Sequence, residues 1–384
     1  MRRLFAGLGI IGLTVFAILQ WVLPARIEAG QNIVLAYAPY LVSERARELH
    51  KSLFIADLHS DSLLWKRDLL KMSSVGHMDL PRLRAGNVAL QVFSATTKSP
   101  AGLNYDRNDA GSDDITKLAI VSLWPPRTWG SLYERAVYQL DKLKDLAGHS
   151  ELTIVTSRQE MAEFVARRQS GEPAMAALYL IEGAHPLEGE LENLDRLFDQ
   201  GLRIVGLTHF FDNELGGSLH GVSGQGLSEF GRSVVQRANE LGAIIDVAHA
   251  SPRMVAEVLE LSTAPVILSH GGVKGNCDTA RNLDDELMRD IANKGGLLGI
   301  GYWDAAVCDV TPAGIVRAIR YAIDLMGASH VALGSDYDGT VAVTFDSSEL
   351  LVLTDAMLQA GFTEDEIRMV MGDNVKRFLL DNLP

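Results

Sequence analysis

The sequence predicts a closed (β/α)8 barrel of the TIM type, preceded by an N-terminal apolar helix. Three observations carry this. Eight short apolar runs recur along the chain, most of the later ones separated by amphipathic helical segments. Strands alternating with helices imply a parallel sheet with right-handed crossovers, and eight strands suit a closed barrel. Finally, seven His, Asp and Glu residues stand just after six of those runs. A barrel of parallel strands gathers such strand ends into one site.

The elements follow in order. The 384 residues are 47% hydrophobic, enough for one large α/β domain. Arg2 and Arg3 precede an apolar run from Leu4 to Leu23, broken by Thr14 and Gln20 and carrying Trp21 near its end. Twenty residues at helical rise span roughly 30 Å, the thickness of a bilayer core. The apolar stretch of a cleaved signal peptide is usually only about 7–15 residues. Residues 1–23 are therefore expected to be a transmembrane anchor, or a signal helix if cleaved. The leading arginines favour a cytoplasmic N-terminus. The remaining chain is then expected on the periplasmic or extracytoplasmic side of the cell membrane, or free in the periplasm after cleavage. Residues 24–42, with Pro24 and Gly30, read as a linker, and 43–384 as the (β/α)8 barrel domain.

Ser43 reads as the N-cap of a helix, SERARELHKSL. The eight strand-like runs are 53–57, 89–93, 177–181, 203–208, 243–248, 265–269, 297–301 and 331–335. Helices are expected over 228–242, ended by Gly242, over 251–262 with a Ser-Pro start, and over 311–327. The long stretch 96–176 holds helical pieces near 113–147 and 157–170 and reads as an insertion over the barrel. A helix pair closes the chain, with Thr363 and Glu366 as a capping box. The net charge of −14 argues against a nucleic-acid partner, which needs clustered Lys and Arg.

The strand ends carry the chemistry. His59 and Asp61 follow the first run, Glu182 the third, His209 the fourth, His249 the fifth, His270 the sixth and Asp336 the eighth. His, Asp and Glu together are a metal-ligand and proton-transfer set. A carboxylate such as Glu182 at the end of a solidly apolar strand must be paired, protonated or metal-bound. The ligands divide into His59, Asp61 and Glu182 on one ion, and Glu182, His249 and His270 on another. Two metals about 3.5–4 Å apart can hold a bridging hydroxide and polarise a carbonyl. Asp336 suits either a metal or the role of general base and acid. His209 completes neither set and suits an oxyanion. Arg281 can clamp a substrate carboxylate in bidentate fashion, or be a solvated or helix-capping residue. Cys277 and Cys308 are the two cysteines of the chain. In an exported protein they can pair; otherwise they are two unrelated buried thiols.

The stretches DLHSD, LIEGAH, GLTHFFDN, LGAIIDVAHAS, PVILSHGG, ARNLDDELM, VALGSDYDG and MGDNVKRFL, in this order, resemble the membrane dipeptidase family, peptidase family M19, in its bacterial branch. The resemblance runs from about residue 44 to the C-terminus. It implies a barrel of the metal-dependent amidohydrolase kind and a binuclear zinc dipeptidase. It further implies His59, Asp61, Glu182, His249 and His270 as ligands of two Zn2+ bridged by Glu182, with substrate roles for His209, Arg281 and Asp336. The spacing of Cys277 and Cys308 is similar to a disulfide of the family's animal members. Dipeptides are the implied substrates, the membrane is an expected partner through the N-terminal helix, and a homodimer is compatible with the reading. The alternatives are hydrolysis of lactones or N-acyl amino acids, or a non-catalytic membrane-tethered binding protein. Many amidohydrolase-type enzymes bridge their metals with a carboxylated Lys; Glu182 and His209 stand at the third and fourth strand ends here, which favours the dipeptidase.

Overall fold

The structure, a computed structural model, describes residue 20, residues 22–37 and residues 39–384. Among these the strands are β1 (Ile33–Val34), β2 (Ile55–Asp57), β3 (Val88–Thr96), β4 (Leu152–Ile154), β5 (Met175–Glu182) and β6 (Leu202–Gly206). They continue with β7 (Ile244–Asp246), β8 (Ile267–Gly271), β9 (Leu297–Ile300), β10 (Val331–Leu333) and β11 (Ala342–Val343). Strands β2, β3, β5, β6, β7, β8, β9 and β10 pair in that circular order, all parallel, and β10 pairs back to β2. The barrel is therefore closed, and each of the eight apolar runs supplies one of its strands.

Alternation along each strand divides the core in two. Ala56, Leu90, Leu178, Ile204, Ile244, Ile267, Leu297 and Ala332, one from each barrel strand, belong to one buried cluster that fills the interior. Their neighbours, such as Phe93, Tyr179, Val205 and Leu298, pack outward beneath the helices. A strand covered on both faces needs no polar face, which is why β5 reads MAALYLIE and is buried throughout.

The helices start where short polar side chains satisfy free amides. Ser43, Ser228, Ser251 and Thr311 cap the helices Glu44–Lys51, Glu229–Leu241, Pro252–Leu261 and Pro312–Met326. Thr363 and Glu366 form the expected capping box. The insertion carries helices Asp114–Val121, Leu132–Gly148 and Arg158–Gln169. The helical piece anticipated over 113–147 is broken between the first two, where Leu123 turns to φ 55° and Pro125 and Pro126 follow. Strand β4 was not anticipated. It shares an edge of β5 with β6, ahead of the point where β6 begins.

Two N-terminal expectations are corrected. Residues 24–42 are not a bare linker: they include most of the helix Leu23–Gln31, and β1 pairs with β11. The single membrane pass is not supported either. Among the described residues no helix is long and apolar enough to cross a membrane. The helix at Leu23–Gln31 has nine residues, includes Arg26 and Glu28, and would span roughly 14 Å at helical rise. The rest of the apolar run, 4–19 and Trp21, lies outside the described residues.

Candidate metal centre

The end of β5 places Glu182 at the middle of the barrel mouth. Its Oε1 lies 3.5 Å from His59 Nε2, 3.3 Å from His249 Nε2 and 3.4 Å from His270 Nε2. Its Oε2 lies 3.3 Å from His209 Nε2. Asp61 and Asp336 approach His59 Nε2 at 3.6 Å and 3.9 Å. All seven strand-end residues are therefore brought together, and all are buried. Three groups have donor atoms close enough to hold an ion: His59, Asp61 and Glu182; His59, His270 and Asp336; and Glu182, His209 and His249. The first is the set read from the sequence. In the other two, His209 and Asp336 join the ligand-competent atoms.

The electrostatics describe a site short of positive charge. Against burial, which lowers it, Glu182, Asp61 and Asp336 raise the His59 imidazole to about 10. Burial, with Asp61 and Glu182 beside it, pushes Asp336 well above the usual carboxylate range. Burial also pushes up Glu182, opposed by His209 and His59. His249 and His270 are driven the other way, mainly by burial, and stay neutral. Their Nε2 atoms face each other at 2.9 Å. His59 Nε2 is buried without a hydrogen-bond partner. The His249 and His270 nitrogens, with a His59 nitrogen that the surrounding carboxylates draw toward positive charge, are the donor set of a divalent transition metal, so these residues fit zinc.

Groups behind the site hold it in shape, and the sequence reading had passed them over. The Thr96 hydroxyl lies 2.9 Å from Asp61 Oδ1 and 2.8 Å from Glu182 Oε2. Asp57 accepts from the His59 amide at 3.0 Å and, through its other oxygen, from the Ser335 amide at 3.0 Å. It thereby ties the end of β2 to the end of β10. Asp246 accepts the Ser269 hydroxyl at 2.5 Å, and that hydroxyl lies 2.9 Å from His270 Nδ1. Asp57 and Asp246 each stand inside an apolar run, LFIAD and AIIDVA, which is the signal that could have found them. Thr96 gives no such signal.

The chain also bends sharply here. His249 and Asp336 take left-handed backbone, at φ 63° and φ 59°. Such conformations in non-glycine residues are uncommon and cluster at functional sites.

Arg281 is buried rather than solvated. One guanidinium nitrogen donates to the His270 carbonyl at 2.6 Å, its Nε has no hydrogen-bond partner, and its Cζ lies 5.5 Å from the Trp303 ring centroid. Asp338 is also buried and serves as a clasp, bonded to Arg67, to the Ser62 hydroxyl and to the His77 amide. His220 stacks on Phe210 and bonds the Tyr105 carbonyl at 2.7 Å. Cys277 and Cys308 form a disulfide with Cα atoms 5.6 Å apart. Asp61, Glu182, His209, Arg281 and Asp336 all line one cavity of about 880 Å3.

The model of the family "Membrane dipeptidase (Peptidase family M19)" matches residues 43–381. Among solved structures, the chain is similar to the probable dipeptidase PvdM from Pseudomonas aeruginosa at 19% identity and a TM-score of 0.74, covering 88% of this chain and 98% of that one. A metallo peptidase from Rhodobacter sphaeroides, liganded with a phosphinate mimic of L-Ala-D-Ala, matches at 21% identity and a TM-score of 0.68, covering 86% and 99%. The dipeptidase AC, a metallo peptidase of family M19, matches at 22% identity and 0.68 over 86% and 99%. At these identities the structural likeness speaks for the fold.

Proposed function

The chain belongs to the membrane dipeptidase family, peptidase family M19, and is a metallo-dipeptidase; on that premise we propose that it hydrolyses dipeptides at a centre of two zinc ions. His59, Asp61, Glu182, His249 and His270 would hold them, with Glu182 shared. The observation that carries this reading is the crowding of three imidazole Nε2 atoms within 3.5 Å of one Glu182 oxygen. When bound, the zinc ions supply Lewis acidity that polarises the peptide carbonyl and lowers the pKa of the attacking water.

The chain's own groups do the rest. Arg281 binds the substrate's C-terminal carboxylate with the donor that its bond to the His270 carbonyl leaves unused. That contact fixes the scissile bond over the carboxylate cluster. His209, at the rim of the cluster, directs its Nε2 toward the carbonyl oxygen and stabilises the charge that develops there. Asp336, whose proton affinity burial raises, takes the proton from the attacking water and gives it to the leaving amine. The near-complete burial of these side chains excludes bulk water and strengthens each interaction.

The test is hydrolysis of a dipeptide panel, including L-Ala-D-Ala and C-terminally amidated forms, by zinc-reconstituted protein with and without chelator. Cleavage of free dipeptides that the chelator abolishes and zinc restores is expected, with two zinc ions per chain by elemental analysis. Chelator-resistant cleavage, or no more than one metal after reconstitution, overturns the two-zinc reading.

A further inference from the structure

The residues matched to the family begin at 43, yet the chain before them reaches the site. Ile27 and Gln31, on the helix Leu23–Gln31, line the same cavity as Asp61, Glu182, Arg281 and Asp336. This segment is fastened firmly. The Ile33 amide donates to the Val341 carbonyl at 3.1 Å and the Leu35 amide to the Val343 carbonyl at 2.7 Å. Asn32 Oδ1 accepts from the Thr340 amide at 2.9 Å. Glu28 pairs at 2.5 Å with Arg67, which also holds Asp338, two residues past Asp336. The helix is therefore built into the loop that carries Asp336.

The cavity has two unlike halves. Its floor is the polar cluster. Its outer wall carries an apolar patch beside the polar Gln31, Asp114 and Lys117: Ile27 and Leu118 pack against a small buried cluster containing Leu64, Trp65 and Ile115. These residues come from the N-terminal helix, from the segment after β2 and from the insertion that follows β3. Arg281 follows β8, which stands four strands around the barrel from β3. A dipeptide held by its carboxylate at Arg281, with its peptide bond over the cluster, directs its amino-terminal residue to this apolar wall. At about 880 Å3 the cavity is near the upper end of the about 300–1,000 Å3 usual for small-molecule sites. A dipeptide with a small amino-terminal residue leaves the wall without a partner.

We propose that the N-terminal helix is a specificity element: Ile27, together with Leu118, forms a subsite for a bulky apolar side chain on the amino-terminal residue of the substrate. This rests on the dipeptidase reading above. Leu-Ala and Phe-Ala are then preferred substrates and Gly-Ala a poor one. One methylene in an apolar pocket is worth about 10-fold or more in kcat/KM, so the preference for Leu or Phe exceeds about tenfold.

The experiment compares kcat/KM for Gly-Ala, Leu-Ala and Phe-Ala in the zinc-loaded full chain and in two variants that fill the subsite from different elements, Ile27→Trp and Leu118→Trp. Both positions are only partly buried, and the second variant carries the test if the first does not fold. The wild type should favour Phe-Ala and Leu-Ala over Gly-Ala by at least about tenfold. Each variant should reduce that ratio to within about threefold by raising KM for the bulky substrates while Gly-Ala changes less than about twofold. Equal rates for the three substrates in the wild type, or an unchanged preference in the folded variants, overturn the subsite and leave the dipeptidase reading intact. If neither these three nor any other dipeptide is cleaved, that reading falls and the subsite with it.

Discussion

Replacing Ser269 with alanine should loosen zinc without touching a zinc ligand. The Ser269 hydroxyl donates to Asp246 Oδ2 at 2.5 Å, and its lone pair faces His270 Nδ1 at 2.9 Å. Because the hydroxyl proton is committed to Asp246, His270 must supply the proton of the second bond. That places hydrogen on Nδ1 and leaves Nε2 bare, turned toward Glu182. The other Asp246 oxygen is filled by the Ala248 and Ser269 amides at 3.0 Å and 2.9 Å, so the carboxylate cannot swing to replace the lost group. Ser269→Ala removes one hydrogen bond to a charged group, worth about 1.5–3 kcal/mol, and strands a buried N–H. Partners that orient a metal-bound histidine typically contribute 10–100-fold to affinity. Zinc should therefore bind about 10–100-fold more weakly, which is about 1.4–2.7 kcal/mol. The zinc-free protein should lose about 2–4 kcal/mol of stability. Competition against a chromophoric chelator measures the first and denaturant unfolding the second. Zinc affinity within twofold of wild type in a normally folded variant would refute the claim that Ser269 sets the His270 tautomer.

Arg281→Ala should mainly raise KM for free dipeptides and should distinguish little between a dipeptide and its C-terminal amide; a retained preference for the free acid removes Arg281 from carboxylate binding. Asp336→Asn should lower kcat by about 10²–10⁴-fold with the wild-type metal content retained, read from steady-state kinetics alongside metal analysis; full kcat would exclude proton transfer by Asp336. The disulfide closes a loop of separation 31, so Cys277→Ala with Cys308→Ala should cost roughly 3–4 kcal/mol in denaturant unfolding. His50 bonds Thr354 Oγ1 and the Gly86 carbonyl, and burial lowers its pKa to about 4. The unfolded chain then binds the extra proton first. Stability is complete above pH ~6.5 and falls by about 3 kcal/mol as pH drops from there through 4, a slope that His50→Gln should flatten.

The barrel was legible because its signal is local. Each of the eight strands is an apolar run, and the residues that close those runs are the ones that meet at Glu182. What stayed hidden depends on contacts between distant segments. Thr96 looks like any strand threonine until β3 and β5 lie side by side and its hydroxyl reaches both Asp61 and Glu182. Arg281 sits in a polar loop whose composition suggests solvent, yet the fold buries it against Trp303. The segment after Leu23 looked like a linker because Pro24 and Gly30 are turn formers. Pro24 instead sits in the first turn of a helix, where a missing N–H costs nothing. The membrane pass is not supported: among the described residues no helix is long and apolar enough to cross a bilayer.

The left-handed backbone at His249 and Asp336 decides which substitutions there can be interpreted. Asparagine, aspartate and histidine enter that conformation more readily than other residues with a Cβ. Exchanging Asp336 for asparagine therefore changes the chemistry and spares the chain path. An alanine at either position would add a backbone penalty of about 1 kcal/mol to the loss of the functional group. A conventional alanine scan would thus overstate what the side chain's functional group contributes at both positions. The same bias narrows the choice of amino acid at these two strand ends to types that also bind metals and carry protons, so the turn and the chemistry call for the same residues.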